Sequence, residues 1–227
     1  TTLLVMSEPY AMPETVTVGW STCYNDWVTT IRSAQPAEAE TLASTLASAF
    51  AEDPLFRWVT GAESGQSIEP KLRVLFGALV KQEFRRDDHL VVTNDDGSAV
   101  AVWMHPNQWK MSALTTIRVL PRMVRALGTK TPRMLGAFNA IEKVHPEPEH
   151  YFLEALGTAQ RVQGRGLGSA VIRPMLDRCD AEGMPAYLES SNPQNIPFYA
   201  RHGFQPTGEI AVGKGAPTVT PMWRDPR

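Results

Sequence analysis

The chain has 227 residues, of which 43% are hydrophobic and 20% are charged, and its formal net charge at pH 7 is −2. This composition is typical of a folded protein and excludes disorder of the whole chain. So small a net charge gives no basic face, so we expect no nucleic-acid partner. No run approaches the ~18 consecutive apolar residues of a membrane-spanning helix, so we expect no membrane partner.

The cysteine content and the first residues favour a cytoplasmic protein. The opening stretch TTLLVMSEPYAM lacks the basic region and the long apolar run of a signal peptide. Of the two cysteines, Cys23 and Cys179, the second lies in an apolar helical stripe, where a buried free thiol is expected. A disulfide framework is not expected, and a reducing compartment fits. Because the histidines and cysteines show no metal-ligand spacing, we predict no metal.

The N-terminal half begins with an irregular segment and continues as strand, helix, helix and hairpin. Residues 1–27 show no clear hydrophobic period and are predicted to be an extension, either an extra strand or a loosely held tail. A single domain is predicted over 28–227. It starts with a strand at 28–32 and a helix at 36–53, where Pro36 suits the first turn.

A second helix is predicted over 69–86 from its apolar face. Residues 89–106 form two apolar runs around an Asp-Gly turn at 94–97, which predicts a β-hairpin. Residues 107–148 are helical in pattern, with breaks expected at Pro121 and Pro132.

The C-terminal part alternates between strands and helices. Strands are predicted at 150–159 and 185–191, helices at 167–179 and 195–204, and a final hairpin in the tail. Because this order combines hairpins with a β-α-β unit, the predicted fold class is α/β (α+β), with a mixed central sheet and helices on both faces.

Three glycines, Gly164, Gly166 and Gly168, lie at the start of the helix predicted from residue 167. A glycine-rich loop that leads into a helix presents unpaired backbone N–H groups at the positive end of the helix dipole, where phosphates bind. Arg165 adds a positive charge. The loop lacks the Lys-Ser/Thr ending of a P-loop and the G-x-G-x-x-G spacing of dinucleotide-binding loops.

The spacing Q-x-x-G-x-G in this loop resembles the pyrophosphate-binding loop of the GNAT superfamily of N-acetyltransferases. The stretch NPQNIPFYARHGF, about thirty residues further on, resembles the segment after the last CoA-binding strand of that superfamily. Within it, the chain is similar to the puromycin N-acetyltransferase group from about residue 28 onward, most strongly over 150–204.

The resemblance implies a GNAT-like fold with a helical insertion before the CoA-binding strand, acetyl-CoA as cofactor, and a role for each matching residue. The backbone of Leu156, Gly157 and Thr158 would pair with the pantetheine arm, which Asn195 would also line. Tyr199 would be the general acid toward the leaving thiolate. The pyrophosphate would be held by the loop and first helical turn, namely Gln163, Gly164, Arg165, Gly166, Leu167, Gly168 and Ser169.

Three residues are catalytic candidates, and each has a structural alternative. Tyr199 is either that acid or a helix residue that packs on the sheet. Glu154 is either the general base or an exposed or ion-paired strand residue. Glu189 has either a substrate-binding or catalytic role or a structural one.

The predicted activity is direct transfer of an acetyl group from acetyl-CoA to the amine of a small molecule, by a monomer or homodimer. One alternative is a non-catalytic acyl-CoA sensor, which would tolerate the loss of Tyr199. The other is a protein or peptide N-acetyltransferase, which would need an open groove.

Overall fold

The computed structural model describes residues 15–22, 25–110 and 112–227, which form a mixed sheet between two layers of helices. The strands are β1 (Thr15–Thr22), β2 (Asn25–Ser33), β3 (Leu90–Asn94), β4 (Ala99–Met104), β5 (Tyr151–Thr158), β6 (Ala186–Ser190), β7 (Gln205–Pro206), β8 (Ile210–Ala211) and β9 (Thr218–Arg224). The α-helices are α1 (Ala39–Ala49), α2 (Pro54–Thr60), α3 (Glu69–Glu83), α4 (Ala113–Leu127), α5 (Thr131–Glu142), α6 (Leu167–Glu182) and α7 (Ile196–Arg201).

Neighbouring strands follow the order β1-β2-β3-β4-β5-β6-β9-β7, and β8 pairs with β9. β5 and β6 pair in parallel across the α6 crossover, whereas the other pairs of the sheet are antiparallel. The predicted mixed sheet with helices on both faces is confirmed, and α4 and α5 form the predicted helical insertion before β5.

Strand β4 shows how the sheet divides its apolar side chains between the two helical layers. Val100 and Val102 pack in the cluster that includes α1 and α3, and Ala101 and Trp103 pack in the cluster that includes α6. Because successive side chains of a strand point to opposite faces, an entirely apolar strand indicates burial on both sides.

The predicted break at Pro121 is wrong, because α4 runs through this residue and ends at Leu127. Because proline has no backbone N–H, the Ile117 carbonyl loses its helical hydrogen-bond donor. Ile117 is exposed, so water can take the place of that donor. The helix ends instead before Gly128, which has a φ of 53°. The break predicted at Pro132 is present, because residues 128–130 separate α4 from α5. Pro132 lies in the first turn of α5, where its missing N–H is unpaired in any case.

Two N-terminal elements differ from the sequence-based expectation. The predicted boundary at residue 28 falls inside β2, and β1 pairs with β2 from Thr15↔Arg32 to Thr22↔Asn25. Residues 1–14 and 23–24 of the predicted extension, including Cys23, lie outside the described residues. Helix α2 was not predicted, although Asp53 caps it by accepting from the N–H groups of Leu55 and Phe56.

Elsewhere the local predictions agree with the structure. The hairpin turns where predicted, with the Gly97 N–H donating to the Asn94 carbonyl over 3.1 Å. Cys179 is fully buried and free, as its apolar stripe predicts. Within the described ranges, no helix is both long enough and apolar enough to cross a bilayer.

Candidate active site

A gap opens in the middle of the sheet where β5 and β6 diverge. The two parallel strands pair only at Tyr151↔Ala186, Phe152↔Tyr187 and Leu153↔Leu188. Both strands continue beyond that point, β5 along β4 and β6 along β9. Glu154 and Glu189 are therefore the first residues after the last pair, and they lie at the start of the gap.

A β-bulge places Glu154 at this point. Val102 pairs with Ala155 and Trp103 pairs with Leu153, so Glu154 is the extra residue of β5. A bulge redirects the side chain of the extra residue and commonly occurs next to active sites. The alternative of an exposed or ion-paired Glu154 is wrong, because the side chain is half-buried, lines a cavity and has no ion pair among the residues that the structure describes.

Beyond the bulge, part of the β5 backbone faces the gap. Ala159 donates to the Ser98 carbonyl, on the side of β4, over 2.8 Å. Because backbone groups of an antiparallel strand alternate in direction, Gly157 also faces β4, while Leu156 and Thr158 face the gap. The Gln163 side chain donates to the Thr158 carbonyl over 3.0 Å, on that open side. The N–H of Leu156 therefore points into the gap, where an extended ligand could pair with β5 as an additional strand.

Gly157 has a separate, structural reason to be glycine. A Cβ at this position would lie 2.9 Å from both Ala49 Cβ and Leu46 Cδ2 of α1. The close approach of α1 to β5 therefore explains why this residue has no side chain.

The glycine loop and the start of α6 lie beyond the end of β5. Gly164 and Gly166 have φ values of 77° and 80°, a region that side chains disfavour, and Gly166 is the N-cap residue of α6. The first bond of the helix runs from the Ala170 N–H to the Gly166 carbonyl, so the N–H groups of the first turn have no partner within the helix. The predicted residues from Gln163 to Gly166 are exposed, and Leu167, Gly168 and Ser169 are half-buried. This is the geometry of an anion site.

The gap opens into a cavity of about 520 Å³ between the sheet and helices α2 to α5. The predicted residues Glu154, Glu189, Tyr199, Leu156 and Asn195 all line it. The structure thus brings the three catalytic candidates to one cavity, although they come from a bulge, a neighbouring strand and a helix.

Glu189 ends a chain of buried hydrogen bonds through two histidines, His145 and His150, which no sequence pattern connects to it. His150 Nδ1 lies 2.6 Å from the Pro148 carbonyl, His150 Nε2 lies 3.0 Å from His145 Nε2, and His145 Nδ1 lies 3.2 Å from Glu189 Oε1. A carbonyl only accepts, so His150 Nδ1 carries a proton and its Nε2 accepts from His145. Nδ1 of a neutral His145 then accepts as well, and the remaining proton lies on Glu189.

The pKa shifts agree with this neutral arrangement. Burial lowers the pKa of His145 to about 4 and also lowers the pKa of His150. Burial raises the pKa of Glu189 to about 7, although the nearby Tyr187 hydroxyl acts to lower it. A protonated Glu189 that donates to His145 is a poor proton acceptor.

Glu154, unlike Glu189, is not held by a hydrogen bond within the described residues. No hydrogen bond or ion pair holds its carboxylate among the residues that the structure describes. Burial, then the charges of Glu189 and Glu83, raises its pKa to about 8. A carboxylate with a pKa near the working pH can both accept and release a proton.

Tyr199 is buried on α7 with its pKa raised above the usual range by burial and by the charge of Asp53. Its hydroxyl has no hydrogen-bond partner within the described part of the chain. Asp53 accepts from Ser191 Oγ over 2.5 Å, which fixes this carboxylate beside the helix. The phenol therefore keeps its proton and is available as a donor.

Three further aromatic side chains divide between the cavity and the core. Phe56 lines the cavity, whereas Trp58 packs against Gly213 and under the Arg133 guanidinium. Trp103 is fully buried on the α6 side.

Comparison with known proteins identifies the family. Residues 53–204 match the model of the acetyltransferase (GNAT) family, so the chain belongs to that family and is an N-acetyltransferase. An uncharacterized N-acetyltransferase of Schizosaccharomyces pombe is 27% identical over 173 residues, which cover 71% of this chain and 68% of that protein.

Two solved structures are similar in fold. A histone acetyltransferase HPA2 and related acetyltransferase from Corynebacterium glutamicum has a TM-score of 0.64 and 25% identity over 87% of this chain and 96% of that chain. Arylalkylamine N-acetyltransferase 2 from Aedes aegypti has a TM-score of 0.57 and 12% identity over 88% of this chain and 99% of that chain. The predicted membership of the GNAT superfamily is confirmed.

Proposed function

We propose that this protein transfers an acetyl group directly from acetyl-CoA to the amine of a small molecule. The observation that carries the proposal is the gap between β5 and β6, which opens at Glu154 into a cavity that Glu189 and Tyr199 also line. The anion site at the start of α6 lies on the same side of β5, so one extended ligand could occupy both.

The residues present fit acetyl-CoA. The glycine loop leaves room for a pyrophosphate at the unpaired N–H groups of α6, and the outward-facing backbone of Leu156 and Thr158 suits the amide groups of a pantetheine arm. When bound, acetyl-CoA supplies an acetyl thioester. Gly157 contributes backbone only, and Asn195 lies at the exposed rim of the cavity.

Glu154 is the general base in this proposal. It accepts a proton from the acceptor amine, while Glu189, already protonated by its place in the histidine chain, does not compete for that proton. The Leu156 N–H points into the gap, where it can donate to an oxygen that becomes negative during transfer.

Tyr199 donates a hydrogen bond, and finally its proton, toward the departing sulfur. Its raised pKa keeps the phenol protonated but makes it a weaker acid than an ordinary tyrosine. Its contribution therefore depends on close contact with the sulfur.

The cavity supports a compact acceptor rather than a protein tail. Side chains from α2, α3, α4 and α5 contribute to its walls, and most of them are apolar. The similar structures do not decide this point, since one is named for histones and the other for arylalkylamines. Our finer proposal, from the resemblance to the puromycin N-acetyltransferase group, is that aminonucleosides belong among the acceptors to be tested.

The test is release of free CoA from acetyl-CoA with a panel of arylalkylamines, aminonucleosides, polyamines and peptides. We expect turnover with one or more small amines and little with peptides. Preferential turnover of peptides would contradict the small-molecule proposal. No CoA release with any amine, from protein that binds acetyl-CoA by calorimetry, would contradict acetyl transfer itself.

A further inference from the structure

Glu83 is a buried carboxylate in the cavity that the proposed mechanism does not use. It is the last residue of α3, is 7% exposed and lines the cavity. No hydrogen bond or ion pair to its side chain occurs within the described ranges. Burial raises its pKa to about 6, so the side chain is mostly ionised at neutral pH.

The cations of the cavity wall interact with other carboxylates. Arg86 contacts Asp88 over 3.4 Å, and Lys110 lies 3.9 Å from Glu142. The charge of Arg86 favours the ionised form of Glu83, but no nitrogen of Arg86 comes within ion-pair distance of it. A buried charge without a partner is destabilising, and a cation delivered by a ligand would relieve that cost.

An aromatic cluster lies on the same cavity wall, and one of its members, Phe76, is on α3 with Glu83. The rings of Phe50, Phe56 and Phe76 pack with centroids 5.0 to 5.5 Å apart, and all three line the cavity. Phe76 and Glu83 are two turns apart on α3, which corresponds to about 10 Å along the helix axis. The wall thus offers an apolar surface and, about 10 Å from it, an unpaired negative charge.

We propose that the preferred acceptor is a dibasic amine with an apolar body: the reacting amine lies at Glu154, a second ammonium at Glu83, and the apolar body on the Phe50–Phe56–Phe76 cluster. This inference rests on the proposed function of the same cavity. It adds Glu83 as a residue that determines specificity without taking part in proton transfer.

The experiment compares two acceptors that share an arylalkyl skeleton and differ by one added amine. Their kcat/KM values are measured with wild type, with Glu83→Gln and with Glu142→Gln. Glu142 is the matched control, since it lines the same cavity but its side chain is 53% exposed and lies beside Lys110.

We expect wild type to prefer the diamine, and Glu83→Gln to reduce that preference by on the order of tenfold or more, the effect of one hydrogen bond to a charged group. Glu142→Gln should keep the wild-type preference. The melting temperature of Glu83→Gln without ligand should equal or exceed that of wild type at pH 8, because the variant lacks an unpaired buried charge.

A wild type that does not prefer the diamine, or a Glu83→Gln enzyme that loses both acceptors equally, would overturn the proposal. A lowered melting temperature with an intact preference would also overturn it and would assign Glu83 a structural role. Absence of CoA release with every amine would refute the proposed function and this inference with it. That outcome is distinguishable from the others, because each of them requires measurable turnover.

Discussion

The raised pKa of Glu154 makes the pH dependence of acetyl transfer a direct test of the proposed base. An ordinary glutamate, with a pKa of about 4.3, is ionised throughout the range from pH 6 to pH 9, so a rate that depends on it would be flat there. Glu154 has a pKa of about 8. Its ionised fraction is then about one tenth at pH 7 and rises about tenfold from pH 6 to pH 7. The expected profile of kcat/KM rises with unit slope and levels off above pH 8 to 9.

The acceptor in this assay should be a weakly basic amine that is neutral over the whole range, so that its own ionisation adds no slope. Glu154→Gln keeps the shape of the side chain and removes the proton acceptor, so we expect turnover about 10²-fold or more below wild type and no rising limb. A flat profile of kcat/KM against pH for wild type, or a Glu154→Gln variant whose kcat/KM still rises with pH, would refute the assignment of Glu154 as the base.

Glu189 provides the internal comparison. The two carboxylates face one gap, so the measured pKa belongs to the coupled pair. Above about pH 7 Glu189 itself ionises and its charge then raises the pKa of Glu154, so Glu189→Gln removes that charge. The rise of kcat/KM with pH should therefore remain in this variant but occur at lower pH.

Three further predictions concern the acid, the cofactor site and the N-terminus. Tyr199→Phe keeps the ring and should bind acetyl-CoA almost normally but turn over about 10²-fold or more slowly; equal activity where chemistry limits the rate would remove the phenol from the mechanism. Gly166→Val should abolish calorimetric acetyl-CoA binding, because the residue at φ 80° starts α6 at the anion site, whereas Gly183→Ala at the other end of α6 should bind normally. Deleting residues 1–22 should leave acetyl-CoA affinity within a few-fold, since β2, β3 and β4 separate β1 from β5; a large loss would mean that the segment contributes to the site.

Local sequence signals were sufficient for most helices and for the anion site. The glycines at 164, 166 and 168 act through their own backbone and through the helix that follows, so their role is visible in a ten-residue stretch. Helix α2 had an equally local signal, Asp53-Pro54 at its start and Gly61 at its end, and could have been predicted from it.

Signals from the terminal strands were weaker. β7 and β8 have two residues each, which is too short to show a hydrophobic period. β9 pairs with β8, its neighbour in sequence, but it also lies between β6 and β7 in the sheet. β1 alternates in TVTVGWST, but only its pairing with β2 makes this segment a strand of the sheet.

The sequence by itself determined the types of most elements, the mixed α/β class and the position of the glycine loop at the start of α6, because each depends on neighbours within a few residues. Only the tertiary structure decided where the sheet opens, which strand position is the bulge, and which polar residues lose water. Glu83 ends a helix in the polar stretch KQEFRR and is nevertheless buried, and His145 contacts Glu189, which lies 44 positions further along the chain. Burial and charge proximity set the pKa values of these groups, and both are properties of packed elements rather than of any short segment.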